Sequence, residues 1–159
     1  MKKIITFIFI FLLWNGNSYA AGSSGGNTKS EYDQAVKLIK SAKKSEQKGK
    51  KDKAEKNFKK AIKLLTKYNE KKPNDANTLN YLGFTSRKLG DDEGAEKYYL
   101  EGLALKPDHV GINEYLGELY VVTNRHNLAI ERLEVLKGCN CKEYKELEDI
   151  IAGKKVSKY

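Results

Sequence analysis

The sequence predicts an all-α solenoid of about three helix pairs closed by a C-terminal capping helix, and three observations predict it. Pro73 and Pro107, Tyr81 and Tyr115, Leu82-Gly83 and Leu116-Gly117, and Ala95 and Ala129 each recur at a spacing of 34 residues; a fixed period of this length marks a stack of supersecondary units. Glu, Lys, Leu and Ala dominate a chain of 159 residues that contains only 2 Pro, which favours helix. Within each period, small residues (Gly83, Ala95) alternate with bulky ones (Leu82, Tyr99, Leu103), as two closely crossing helices require. With 40% apolar and 32% charged residues, the composition excludes a collagen, a disulfide-stapled mini-protein, a polytopic membrane protein and a fully disordered chain. The length suits one domain.

The elements follow in order. Residues 1–20 read as a signal peptide: Lys2 and Lys3 lead an apolar run over 4–14, and Ser18 and Ala20 stand where a signal peptidase accepts small residues. This run of 11 residues, apolar but for Thr6, spans only ~16 Å as a helix, against a hydrocarbon core of about 30 Å. Cleavage after Ala20 is expected, and no Cys follows that could carry a lipid. The mature protein is then exported, to the periplasm or beyond, with a flexible Gly/Ser leader over 21–30.

A first repeat is predicted over 31–73, a second over 76–109 and a third over 110–141. In the second, Gly90 sits where a left-handed C-cap is wanted and Asp91 suits the next helix start. In the third, Leu116, Gly117, Tyr120, Ala129 and Leu133 take the matching places, Asn124 replaces the turn Gly, and Cys141 stands where Pro would end the unit. In the first, Gly49, Ala54, Phe58 and Ala61 play the parts of Gly90, Ala95, Tyr99 and Gly102. Ala54 to Pro73 is 19 residues where Ala95 to Pro107 is 12, so seven residues are added to the second helix. Seven residues turn an α-helix by about 700°, only ~20° short of two full turns, so the stripe Ala54, Phe58, Ala61, Ile62, Leu65, Tyr68 continues in register. Residues 142–152 carry Tyr144, Leu147, Ile150 and Ile151 on one face and are expected to cap the last repeat. The tail 153–159 is expected to fray.

Leu82-Gly83, Ala95, Tyr99, Gly102 and Pro107 at this period resemble the tetratricopeptide repeat (TPR), with Ser86 where the family usually has Tyr. The resemblance covers 31–152, and in kind the chain looks like the small exported TPR proteins of bacterial envelopes. It implies a non-enzymatic binding protein whose first helix in each pair lines a concave groove for a partner's peptide or helix. Carried over by position, the second repeat offers Asn77, Asn80, Phe84, Arg87 and Lys88. The first offers Val36, Ile39, Lys43 and Gln47, and the third Glu114, Glu118, Val121 and Val122. Asn suits a peptide backbone, Arg87 and Lys88 a carboxylate, and Phe84, read as facing outward, an apolar anchor. The competing reading is of ordinary solvent-facing residues. A carboxylate clamp is not expected, because Ile39, Tyr81 and Tyr115 occupy places where it needs polar side chains.

From residue 29 to 72 there are 16 Lys against 6 acids, whereas from 74 onward 12 basic residues face 15 acidic ones. This asymmetry should steer an acidic partner toward the first repeat. Adhesion of the Lys-rich repeat to an anionic surface is one alternative function, and a solvated face that keeps a long helix soluble is the bland one. Nucleic acid is disfavoured, since the basic stretch lacks Arg and has few aromatics for stacking.

Cys139 and Cys141 should form a structural disulfide in an oxidising compartment. Closing so short a loop contributes at most ~1.6 kcal/mol before ring strain. Thiol exchange by this pair is the second alternative function. The only His residues, His109 and His126, follow turn signals and read as surface loop residues, so no metal site and no cofactor are expected. There is no phosphate loop, nucleophile elbow or paired His at helical spacing, and no catalysis is expected.

Overall fold

The computed structural model describes residues 30–157; the expected signal peptide and nearly all of the leader lie outside the described residues, as do residues 158–159. Among the described residues there are seven helices and no strands: α1 (Glu31–Gln47), α2 (Lys51–Lys71), α3 (Ala76–Lys88), α4 (Asp92–Leu105), α5 (Val110–Val122), α6 (His126–Leu136) and α7 (Lys142–Ile151). Helices α1 and α2, α3 and α4, and α5 and α6 pack as pairs, and α2 on α3, α4 on α5 and α6 on α7 join the pairs into a solenoid. The chain is a TPR-type α-solenoid. Among the described residues no helix is long and apolar enough to cross a membrane.

The turns follow from local chemistry. Gly49 (φ 69°), Gly90 (φ 83°) and Asn124 (φ 59°) adopt the left-handed conformation between the helices of their pairs, which Gly takes up readily and Asn tolerates better than most residues. Helix starts are satisfied by side chains: Ser30 accepts from the Asp33 amide, Asp75 from those of Asn77 and Thr78, and Asp91 from that of Gly94. His109 caps α5 in the same way, its Nδ1 accepting from the Ile112 amide at 3.1 Å. It is buried, not a surface loop residue as its sequence context suggested.

Close packing depends on the small residues. A Cβ on Gly83 would lie 2.6 Å from Cδ1 of Tyr99, a fully buried ring that fills the crossing of α3 and α4. A Cβ on Gly117 would lie 2.8 Å from Cδ1 of Leu147, so α7 supplies to α5 the bulky side chain that α4 supplies to α3. Helix α2 runs unbroken for 21 residues where α4 has 14, and its Ala54, Phe58, Ala61 and Leu65 are all buried on one stripe. Its last turns meet the start of α1: Lys67 and Lys71 both reach Glu31, at 3.0 and 2.7 Å, and the Tyr32 and Tyr68 rings are 5.5 Å apart. Farther along, Arg125 grips Glu96 through two bonds of 2.7 Å and lies over the Tyr120 ring.

Two features concern the C-terminal end. Cys139 and Cys141 are bonded to each other, with Cα atoms 5.2 Å apart, immediately before α7. The described part of the tail does not fray as expected. Gly153 turns left-handed (φ 68°), and the Lys154 and Lys155 amides donate to the Asp149 carbonyl at 2.8 and 3.1 Å. Ser157 Oγ then donates to Glu118 Oε2 at 2.7 Å, bringing the tail back onto α5.

Gly83→Ala tests the crossing. A helical Ala gains about 1 kcal/mol of propensity over Gly, but overpacking against a ring that cannot move costs about 1–3 kcal/mol. Net destabilisation and a lowered melting temperature are expected; a stabilised variant would show that the α3–α4 contact is looser than described.

Candidate partner-binding groove

Helices α1, α3, α5 and α7 each turn one face toward a groove of about 410 Å³. Lys43, Glu46 and Gln47 of α1, Phe84 and Lys88 of α3, and Glu114, Tyr115 and Glu118 of α5 line it, spaced three or four apart so that each set shares a face. Helix α7 adds Lys142, Glu143, Glu146 and Ile150, and Val156 of the tail forms part of the rim.

The floor is aromatic. Phe84 is 3% exposed, its ring centre 6.1 Å from that of Phe58 and 5.4 Å from that of Tyr115. The Lys43 ammonium lies 5.1 Å from the Phe84 ring centre, a cation–π arrangement. Beside it Lys88 pairs with Glu46 at 3.1 Å. The opposite wall is acidic, formed by Glu114 and Glu118 on α5 and by Glu143 and Glu146 on α7. Burial, with the negative charges of Glu118, Glu143 and Glu146 added, pushes the Glu114 carboxyl up to about 8, against a partial opposing pull from Lys142.

Of the residues selected from sequence, Lys43, Gln47, Phe84, Lys88, Glu114 and Glu118 line this groove; Asn77, Asn80 and Arg87 do not. Phe84 is floor and does not face outward. Arg87 is buried: its guanidinium donates to the Tyr115 carbonyl at 3.1 Å and approaches Asp92 at 3.8 Å, so it ties α3 to α5 and is withheld from any ligand carboxylate. Asn77 is exposed at the start of α3, 3.2 Å from His109 Nε2. Asn80 faces the start of α5, where a Cβ on Gly111 would be 3.1 Å from its Nδ2. Ile39 is core, and Val36, Val121 and Val122 lie outside the lining.

Sequence reasoning missed the contribution of α7. Glu143, Glu146 and Ile150 follow at helical spacing, a signal that was present but was absorbed into the capping role. The Lys surplus is elsewhere: Lys56, Lys59, Lys60 and Lys63 of α2 line a shallow, separate depression with Asp52 and Glu55. Among the described residues no group of three or more His, Cys, Asp or Glu is arranged to hold a metal ion.

A profile of the tetratricopeptide repeat family matches residues 45–108. The fold is shared with the first TPR of Spaghetti (RPAP3), solved bound to the HSP90 peptide SRMEEVD. That likeness has 18% identity and a TM-score of 0.56, over 77% of this chain and 94% of that one. The crystal structure of MamA is also similar, at 17% identity and a TM-score of 0.44, over 76% of this chain and 81% of that one. No curated protein matches the chain.

Glu114 sets a pH dependence. A carboxyl raised from 4.5 to about 8 holds a proton in the folded state that the unfolded chain has lost, so its contribution to stability falls as pH rises from about 4.5 through 8. Glu114→Gln removes that loss. The variant should be more stable than the parent at pH 8.5 by on the order of 2 kcal/mol, with the gap closing at pH 5. Thermal melts at the two pH values check this, and a pH-independent gap would contradict it.

Proposed function

We propose that the chain is a non-enzymatic protein–protein interaction module that holds a segment of a partner protein in the groove formed by α1, α3, α5 and α7. The observation that carries this reading is the groove itself: equivalent faces of successive helices converge on an aromatic floor between charged walls. Apolar anchoring with a polar rim is how such surfaces gain affinity and register. The Spaghetti TPR, which shares the fold, is described with a peptide bound, and this supports the same use here. The module works in the cell envelope or outside the cell, on the reading of residues 1–20 as an export signal, and the Cys139–Cys141 bond suits an oxidising compartment.

A cross-linked pull-down from an envelope extract tests it. The baits are the native chain, a groove variant (Lys43→Glu with Glu143→Lys) and an Asn80→Ala variant that leaves the groove lining intact. A protein captured by the native and Asn80→Ala baits and lost from the groove variant is expected. Equal capture by all three would remove the groove from partner binding.

A further inference from the structure

The outer face of the first helix pair is a second surface, separate from the groove. We propose that this face docks on a bilayer rich in anionic phospholipid, through Lys40, Lys44 and Lys48 on the α1 side and Lys53, Lys56 and Lys60 of α2. None of the six lines the groove, so this surface stands or falls independently of the groove's function.

The seam between α1 and α2 fixes the geometry. Asn57 Nδ2 donates to Ser41 Oγ at 3.2 Å, so these two exposed residues mark where the helices meet. At about 100° per residue, Lys48, Lys44 and Lys40 stand about 20, 60 and 100° from Ser41 around α1, turned away from its buried Ala35, Ile39 and Ala42. On α2, Lys53, Lys60 and Lys56 stand about 40, 60 and 100° from Asn57, again away from the buried stripe. The helices run antiparallel, so the two sets share one side of the seam and form one face. All six lysines are exposed, and among the described residues none of them is in an ion pair. The acids of the pair are engaged or lie off this face. Glu31 is held by Lys67 and Lys71, Glu46 by Lys88 and Glu55 by Lys59. Asp33 is bonded to Ser30 at the other end of α1, and Asp52 and Glu70 stand about 140° from Asn57 on the far flank of α2.

An end repeat needs a polar outer face for solubility, but not one of a single sign. Helix α7, at the other end, is mixed and paired: Lys145 reaches Glu148 and Asp149, and Lys155 of the tail reaches Glu146 and Asp149. Crowding unpaired lysines on the first repeat costs self-repulsion, which an anionic surface relieves. The form and composition of the face point to a bilayer. A linear polyanion is held in a basic groove, whereas the depression on α2 is shallow and includes Asp52 and Glu55. A protein partner needs apolar or aromatic anchors, yet the exposed large apolar side chains, from Leu100 and Leu105 to Val156, all lie at α4 or beyond. Arg, the residue of bidentate recognition, is absent from this repeat; Arg87, Arg125 and Arg132 lie elsewhere and are bonded within the chain. Lysine is a hydrated point charge on a flexible stem, suited to headgroup phosphates without fixed geometry. At 1.5 Å per residue each set of lysines covers ~10–12 Å, so the face can lie within about a Debye length of a flat membrane.

Flotation of the full chain with lipid vesicles tests the proposal. Vesicles of phosphatidylcholine with about 30% phosphatidylglycerol are compared with pure phosphatidylcholine, which reports any binding through the apolar run over 4–14 that every variant shares. At about 0.1 M salt the parent should prefer the anionic vesicles at least tenfold, and about 0.5 M salt should abolish the preference. Each lysine near an anionic leaflet contributes about fivefold, so a face variant (Lys44→Gln, Lys53→Gln, Lys56→Gln, Lys60→Gln) should lose the preference at least tenfold. A control variant with the same change in net charge (Lys97→Gln, Lys106→Gln, Lys137→Gln, Lys154→Gln) should keep it within about threefold. Circular dichroism melts confirm that both variants are folded. Equal loss in the two variants would make the effect one of net charge and overturn the docking face. A parent with no preference for anionic vesicles would overturn it outright. If the parent shows none yet binds soluble polyphosphate or polyglutamate through the same four lysines, the bilayer is replaced by an acidic chain as the occupant.

Discussion

Two helices approach closely only where one of them gives up its side chain, and this solenoid depends on that concession at Gly83 and Gly117. At the first, the buried ring of Tyr99 occupies the space a Cβ would need; at the second, Leu147 does. Interiors are close-packed, so neither partner can retreat far. These crossings fix where α3 and α5 run, and the groove follows from where they run. Helix α7 is therefore more than a lid over exposed apolar surface: through Leu147 it docks as the next bulky element and brings its acidic face to the groove.

The groove shows how one scaffold separates two electrostatic tasks. The Lys-rich helix α2 carries much of the positive charge on a face that does not line the groove. The walls of the groove are of mixed sign, basic beside α1 and α3 and acidic between α5 and α7. Long-range attraction is governed by total charge and is screened by salt, whereas partly buried pairs feel a lower local dielectric. The two surfaces can therefore favour different chemistry without contradiction.

Several of the residues chosen from sequence reached the groove and others did not, for identifiable reasons. Lys43, Lys88, Glu114 and Glu118 sit on inner-helix faces, so their repeat position was enough. Arg87 and Asn80 also lie on α3, but each points to the seam with α5, where a long or polar side chain finds a backbone carbonyl or the glycine surface of the next helix. A repeat position specifies a helix and an approximate face; it does not say which neighbour a flexible side chain will meet. His109 illustrates the same limit, since a residue after a turn signal can be a buried cap when its ring nitrogen reaches the third amide of the helix.

The sequence by itself determined the helix pairs, their turns and the two-turn extension of α2, because periodicity, left-handed Gly and Asn residues and small–large alternation are local properties of the chain. It also pointed to Cys139 and Cys141 as a pair, since two thiols so close in the chain can reach each other in an oxidising compartment if the loop bends, and the structure bonds them. Only the tertiary structure decided that α7 forms a groove wall, that Arg87 is enclosed, that Phe84 is floor, and that the tail returns to Glu118. Each of these depends on the angle at which one helix stacks on the next, and that angle is set by contacts between residues far apart in the chain.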